Sequence, residues 1–209
     1  MNVRDTHPNR RQNPSKKPTG QNWSEHKPDL KEDFNSHCAY CGSYDGYRHT
    51  YFEVDHFIPK KLFKIKMNIS YCQYDNLVYS CKFCNNNKLS KWPSEDETIP
   101  IINDKGFVDP CDVKYDDHLY RTSDGGIMWK TKLGQWMAET AFKFNERDSS
   151  IKLLWELNQR RKLLDVFIVE LTKRDINSEE YKTIKREAER IGYEYYIYDK
   201  ELMDYYNSI

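Results

Sequence analysis

The sequence predicts an α+β protein: a small metal-stapled module of two strands and a helix, with a polar N-terminal arm before it and a helical region after it. Three observations carry that prediction. Two Cys-x-x-Cys pairs, Cys38/Cys41 and Cys81/Cys84, enclose 39 residues, more than a small zinc ribbon needs, so the enclosed stretch is expected to carry a subdomain of its own. Within it, His49 to Ile58 mixes β-branched, aromatic and polar residues and stops at Pro59, as a strand does. Beyond Leu133 the apolar residues recur at three- and four-residue steps, which is helical spacing.

Taken in order, residues 1–30 are polar and basic, with Pro8, Pro14, Pro18 and Pro28 and few apolar side chains; they read as a flexible arm. Residues 31–100 form the module. Its first strand ends at Asp55-His56, and Tyr71 to Ser80 forms a second extended or looped segment leading into the second cysteine pair. The polar run Asn85 to Lys91 reads as a short helix stopped near Pro93. Residues 101–132 are an acidic, turn-rich connection with Asp109-Pro110, Gly125-Gly126 and a small hairpin around Met128 to Lys130. Residues 133–209 are helical. Leu153, Leu157, Leu164, Ile168 and Leu171 mark one helix, and Asn177 or Ser178 before Glu179-Glu180 opens another that Gly192 is expected to end. A last helix is expected around Leu202, Tyr205 and Tyr206.

The formal net charge of zero hides an uneven distribution. Phe57 to Trp92 holds seven lysines and one acid, Asp75, whereas Ser94 to Asp124 holds nine acids against three bases. A basic surface around the motif attracts phosphates, although an ordinary solvated lysine face has the same count. No secretory signal and no apolar run near membrane-spanning length is visible, so no membrane association and a cytoplasmic location are expected, where thiols stay reduced and bind metal.

Two Cys-x-x-Cys turns, Cys38, Cys41, Cys81 and Cys84, supply the four thiolates that structural zinc prefers. Such a shell is closed, so this zinc holds structure and the chemistry lies between the turns. Hydrolysis of a phosphodiester needs an activated water, stabilisation of charge on the phosphate and relief of the leaving oxygen, and one histidine with one divalent cation can supply all three. His56 is the histidine beside a carboxylate within the stapled segment, and neutral imidazole can take a proton from water near pH 7. Asp55 and Asn85 offer hard oxygens suited to magnesium or manganese, and Asn76 is placed to bridge the loop by hydrogen bonds. Lys88, one turn beyond Asn85, and Lys60 are expected to reach phosphates. Neighbours on a regular strand point to opposite faces, so Asp55 and His56 can share a site only where the strand ends.

Cys38-Ala-Tyr-Cys41, Val54-Asp55-His56-Phe57-Ile58-Pro59, Asp75-Asn76-Leu77 and Cys81-Lys-Phe-Cys84-Asn85-Asn86-Asn87-Lys88 together resemble the HNH, or ββα-metal, endonuclease family with a four-cysteine zinc site. The resemblance implies His56 as general base, Asp55 and Asn85 as holders of the catalytic metal, Asn76 as the middle residue of the motif, and DNA favoured over RNA. Asparagine in the third position makes this an HNN form. Phe107-Val108-Asp109-Pro110, Asp117-His118-Leu119, Gly125-Gly126 and the Leu/Arg-rich stretch Leu153 to Arg161 are similar to HNH subunits of bacterial anti-phage defence systems, Septu-type and retron-associated. That likeness implies an ATPase partner subunit.

Other readings of the same residues are less demanding. A non-catalytic zinc-stabilised nucleic-acid-binding module shares the cysteines and lysines but has no need for Asp55, His56 and Asn85 together. A redox dithiol needs one Cys-x-x-Cys in a βαβ setting, not two matched ones. His37, beside Cys38, is a competing zinc ligand, and His118 among acids is by default an exposed, carboxylate-paired histidine. The six tyrosines from Tyr193 to Tyr206 are expected in packing rather than in base stacking.

Overall fold

The computed structural model describes residues 1–47, 49–66 and 69–207, and divides into two compact units, Met1–Arg147 and Asp148–Ile209. In the first unit, helix α1 (Lys27–Asp33), with Pro28 in its first turn, precedes the first cysteine pair. Strand β1 (Phe52–His56) is followed by helix α2 (Lys60–Lys66), strand β2 (Leu77–Cys81) and helix α3 (Lys82–Lys88). Strands β1 and β2 are antiparallel, with Phe52 opposite Cys81 and His56 opposite Leu77. Every residue of β2 is buried, and only Glu53 of β1 is half exposed. The usual alternation disappears because the sheet is covered on both faces: α3 packs on it, as do α1 and the turn Trp23–His26.

The rest of the unit is built from short pieces: strands β3 (Ile101–Ile102) and β4 (Lys105–Gly106), helix α4 (Tyr115–His118), the hairpin of β5 (Leu119–Arg121) and β6 (Ile127–Trp129), and helix α5 (Lys132–Gln135), continued by a π-helical turn to Ala141. The expected hairpin near Met128 is therefore present, as β5 and β6. Thr131 caps α5 by accepting the Gly134 N–H at 3.0 Å. Leu133, Met137, Ala141, Phe142 and Phe144 join one core with Phe107 and the strands. That burial moves the boundary: residues 133–147, assigned from sequence to the helical region, belong to the first unit.

The N-terminal segment is not a free arm. Val3 is buried, and Arg4, whose guanidinium lies 4.3 Å over the Tyr115 ring, also donates to the Pro110 carbonyl. Arg10 donates to the Leu77 carbonyl and pairs with Asp109, while Arg11 pairs with Asp29, Glu32 and Asp33. The arginines that made the segment look solvated are what fasten it, through partners more than a dozen residues away.

The second unit pairs two helices, α6 (Ser150–Thr172) and α7 (Glu179–Asn207). The Ser178 hydroxyl accepts the Tyr181 N–H at 3.1 Å, so the expected serine does cap α7. Arg160 pairs with Glu194 and lies over the Tyr198 ring, while Arg174 pairs with Glu180, which fixes an antiparallel arrangement. Gly192 does not end α7. One glycine costs about 1 kcal/mol in a helix, which the helix formers on either side outweigh, and the expected third helix is the continuation of α7. Leu154 and Leu157 are buried while Ile168 is 57% exposed, so the packed face of α6 runs through Leu154 rather than along the whole expected stripe. The side chains of Lys64, Lys66 and Tyr206, used in the sequence reading, lie outside the described residues. Among the described residues no helix is long and apolar enough to cross a membrane.

Candidate active site and metal centre

The first cysteine pair is a tight knuckle: the Cys38 N–H donates to the Ser43 carbonyl and the Gly42 N–H to the Cys38 carbonyl, both at 2.9 Å. Gly42 sits at φ +68°, where a Cβ would come within 2.7 Å of the Val3 carbonyl oxygen, so the position requires glycine. The second pair is placed by secondary structure, with Cys81 closing β2 and Cys84 in the first turn of α3. The helix begins at Lys82, three residues earlier than the sequence suggests, and this brings the Cys84 thiol to the helix N-terminus, where negative charge is favoured.

All four cysteines are buried and their Sγ atoms lie within 4.8 Å of one another, Cys41 and Cys81 at 3.8 Å. Zinc–sulfur bonds of about 2.3 Å in a tetrahedron set the sulfurs about 3.8 Å apart, so the donor set fits a zinc ion. His37 is not in this cluster; its Nδ1 faces the Asn35 carbonyl. Arg147 lies beside the thiols, its side chain donating to the Ser43 hydroxyl at 2.9 Å and stacking 5.1 Å over Phe83. Burial works against its charge, but the four cysteines outweigh it and hold the guanidinium pKa above its ordinary range.

A cleft of about 700 Å³ opens over the end of β1, between the Trp23 turn and α3, and is lined by Asp55, His56, Asn85 and Lys60 among others. Because β1 stops at His56, both members of the Asp-His pair reach this cleft despite their opposite faces. On one side, the Asp55 carboxylate accepts the Tyr40 hydroxyl at 2.6 Å and pairs with Lys88 Nζ at 3.0 Å, both through Oδ2. No described group donates to its Oδ1. On the other side, His56 is 4% exposed, held edge-on by Trp23 at 5.0 Å and Phe63 at 5.4 Å. Its Nε2 lies 2.8 Å from the Tyr71 carbonyl oxygen. A carbonyl only accepts, so Nε2 carries the proton and Nδ1 keeps a free lone pair. Burial lowers the His56 pKa, outweighing the opposite pull of the Tyr71 carbonyl and Asp55.

Asn76 staples the exit of β1: its Oδ1 accepts the Ile58 N–H at 2.8 Å and its Nδ2 donates to the Ile58 carbonyl at 3.2 Å. Asn85, one residue beyond Cys84, donates from Nδ2 to Glu53 at 2.6 Å. Lys60 is exposed at the cleft rim, its ammonium 4.4 Å over the Trp23 ring. Lys88 corrects the sequence reading. It has no exposed surface, and besides Asp55 it donates to the His56 carbonyl at 2.7 Å, so it holds the Asp-His pair from beneath and does not meet a phosphate. His118 binds the Thr131 hydroxyl through Nδ1 and does not line the cleft. Motif matching missed Glu53, Tyr40 and Trp23. Strand alternation puts Glu53 on the Asp55 face, whereas no local signal ties Tyr40 or Trp23 to the site.

No match to the chain was found among curated proteins or among solved structures. The family model described as HNH endonuclease matches residues 38–91, from the first zinc-turn cysteine to just beyond α3. The matched stretch carries the four cysteines and most of the cleft lining, covers about a quarter of this 209-residue chain, and is similar to an HNH endonuclease domain.

Proposed function

We propose that the chain is an endonuclease that hydrolyses phosphodiester bonds in nucleic acid, DNA in preference to RNA, with His56 as general base and one divalent cation on Asp55 and Asn85. The observation that carries this reading is the state of His56: its proton is fixed on Nε2 by Tyr71, and its Nδ1 lone pair is free. Burial keeps the ring neutral at pH 7, the form that takes a proton from water. Asp55 Oδ1 and the amide oxygen of Asn85 are the hard donors in the same cleft. A magnesium or manganese ion held there supplies charge stabilisation to the phosphate and to the leaving oxygen. Lys60 and Lys61 at the rim draw the nucleic-acid backbone toward the cleft. The four cysteines hold zinc in a closed shell, which fixes α3 and takes no part in the reaction.

Placement among bacterial anti-phage effectors with an ATPase partner rests on the similarity of the short motifs between Phe107 and Arg161. The preference for DNA rests on the resemblance to the family.

The test is cleavage of plasmid, single-stranded DNA and cellular RNA with magnesium or manganese, comparing wild type with His56→Ala at matched zinc content and folding. Cutting by wild type alone supports the proposal. Equal cutting by both overturns the role of His56, and no cutting by either, alone or with its partner ATPase added, favours the zinc-stabilised binding module.

A further inference from the structure

We propose that Glu53 is a positioning residue for the cation site: its carboxylate fixes the Asn85 amide so that Oδ1, and not Nδ2, is presented to the cleft. The inference rests on the reading that Asp55 and Asn85 hold a divalent cation. An asparagine amide has a donor end and an acceptor end of nearly the same shape, and only the acceptor end binds a cation. Asn85 is half-buried near the start of α3, and its own helix supplies no partner that selects one end. Glu53 does. A carboxylate only accepts, so the atom 2.6 Å from Glu53 Oε2 is Nδ2, and Oδ1 is turned to the opposite side. No described group donates to that oxygen.

The strand register makes the arrangement reproducible. Glu53 and Asp55 are two residues apart on β1 and share a face, and both line the cleft with Asn85. Opposite Glu53 on β2 is Ser80, one residue before Cys81, so the cysteine cluster anchors both the strand partner of Glu53 and the helix that carries Asn85. Groups that orient a metal ligand in this way are worth about 10- to 100-fold in metal affinity.

The experiment is titration of the zinc-loaded full-length protein with manganese, read by electron paramagnetic resonance, alongside melting temperatures without manganese. Asn85→Asp supplies the control, because a carboxylate has no donor end and needs nothing to select which end faces the cleft. Positioning requires Glu53→Ala to lower manganese affinity about tenfold in the wild-type background and to cause no such loss in the Asn85→Asp background, with melting temperatures unchanged. An equal loss in both backgrounds overturns the inference and makes Glu53 a direct ligand or a remote charge. Unchanged affinity in Glu53→Ala overturns it as well. Asp55→Ala separates this from the reading beneath: if that variant also binds manganese as wild type does, the cation site itself is misplaced.

Discussion

Replacing Lys88 with methionine distinguishes the structural role of this lysine from the phosphate contact its sequence position suggests. Methionine keeps most of the aliphatic stem, so no large cavity opens, and the change removes the ammonium. What is lost is a 3.0 Å ion pair to Asp55 and a 2.7 Å hydrogen bond to the His56 carbonyl, both made by a side chain with no exposed surface. Breaking a buried pair by removing one partner costs about 3–5 kcal/mol, because the other charge is left uncompensated. The Tyr40 hydroxyl still donates to Asp55 at 2.6 Å, which places the expected loss near the lower end, about 3 kcal/mol. With a urea dependence of about 1–3 kcal/mol per molar, the unfolding midpoint should fall by about 1–3 M. Trp23, Trp92, Trp129 and Trp136, four of the five tryptophans, lie within Met1–Arg147, so intrinsic fluorescence follows this unit. Adding Asp55→Asn to Lys88→Met removes the orphaned charge and should recover more than half of the loss. A Lys88→Met protein that keeps its zinc and its urea midpoint, but binds nucleic acid more weakly, would refute this account and restore the phosphate contact.

Four further outcomes are expected. Because burial lowers the His56 pKa, the proposed base stays deprotonated below its ordinary value of about 6.5, so the acid limb of kcat/KM for the proposed nuclease should lie below pH 6.5. The same shift has a stability consequence: as pH falls below about 6.5 the unfolded chain takes up the proton first, so stability is lost between that pH and the lower folded-state pKa, and His56→Gln should flatten this part of the pH–stability curve. Asn76→Ala removes both hydrogen bonds to Ile58 made by a buried side chain and leaves the half-buried Ile58 N–H without its partner; a loss of about 1–3 kcal/mol is expected in the same urea assay. Gly192→Ala should stabilise the helical unit by about 0.5–1 kcal/mol, since α7 is continuous there and the new methyl meets nothing within 4 Å; thermal melting followed by circular dichroism checks it.

Much of the module was legible because its signals are local. A cysteine pair carries its own spacing, a strand ends where proline follows, and the Asp-His pair is contiguous. The N-terminal segment was misread because its burial depends on partners that composition does not reveal: Arg10 finds Asp109 and Arg11 finds Asp29 and Asp33. The helix after Cys84 was placed late because Lys82 and Phe83 look like turn filler, whereas Cys81 acts as the residue before the helix and lets it start at once. Gly192 looked like a stop since glycine commonly follows a helix, but it takes a left-handed conformation when it does so, and Gly192 is not among the glycines with positive φ.

Lys88 shows most clearly where a sequence signal changes meaning. At one helical turn beyond Asn85 it has the right spacing to face the same way, and a lysine near a proposed phosphate site is naturally read as its binder. Helix α3 packs on the sheet, however, so residues one turn apart on it face both the cleft and the strand ends, and Lys88 is the one turned inward, onto Asp55 and the carbonyl of His56. The same seven-residue helix thus holds the Cys84 thiol, the Asn85 amide and the ammonium beneath the Asp-His pair. A rigid helix fixes these three distances at once. Displacing α3 by removing the proposed zinc should therefore disturb the proposed cation site and the His56 environment together.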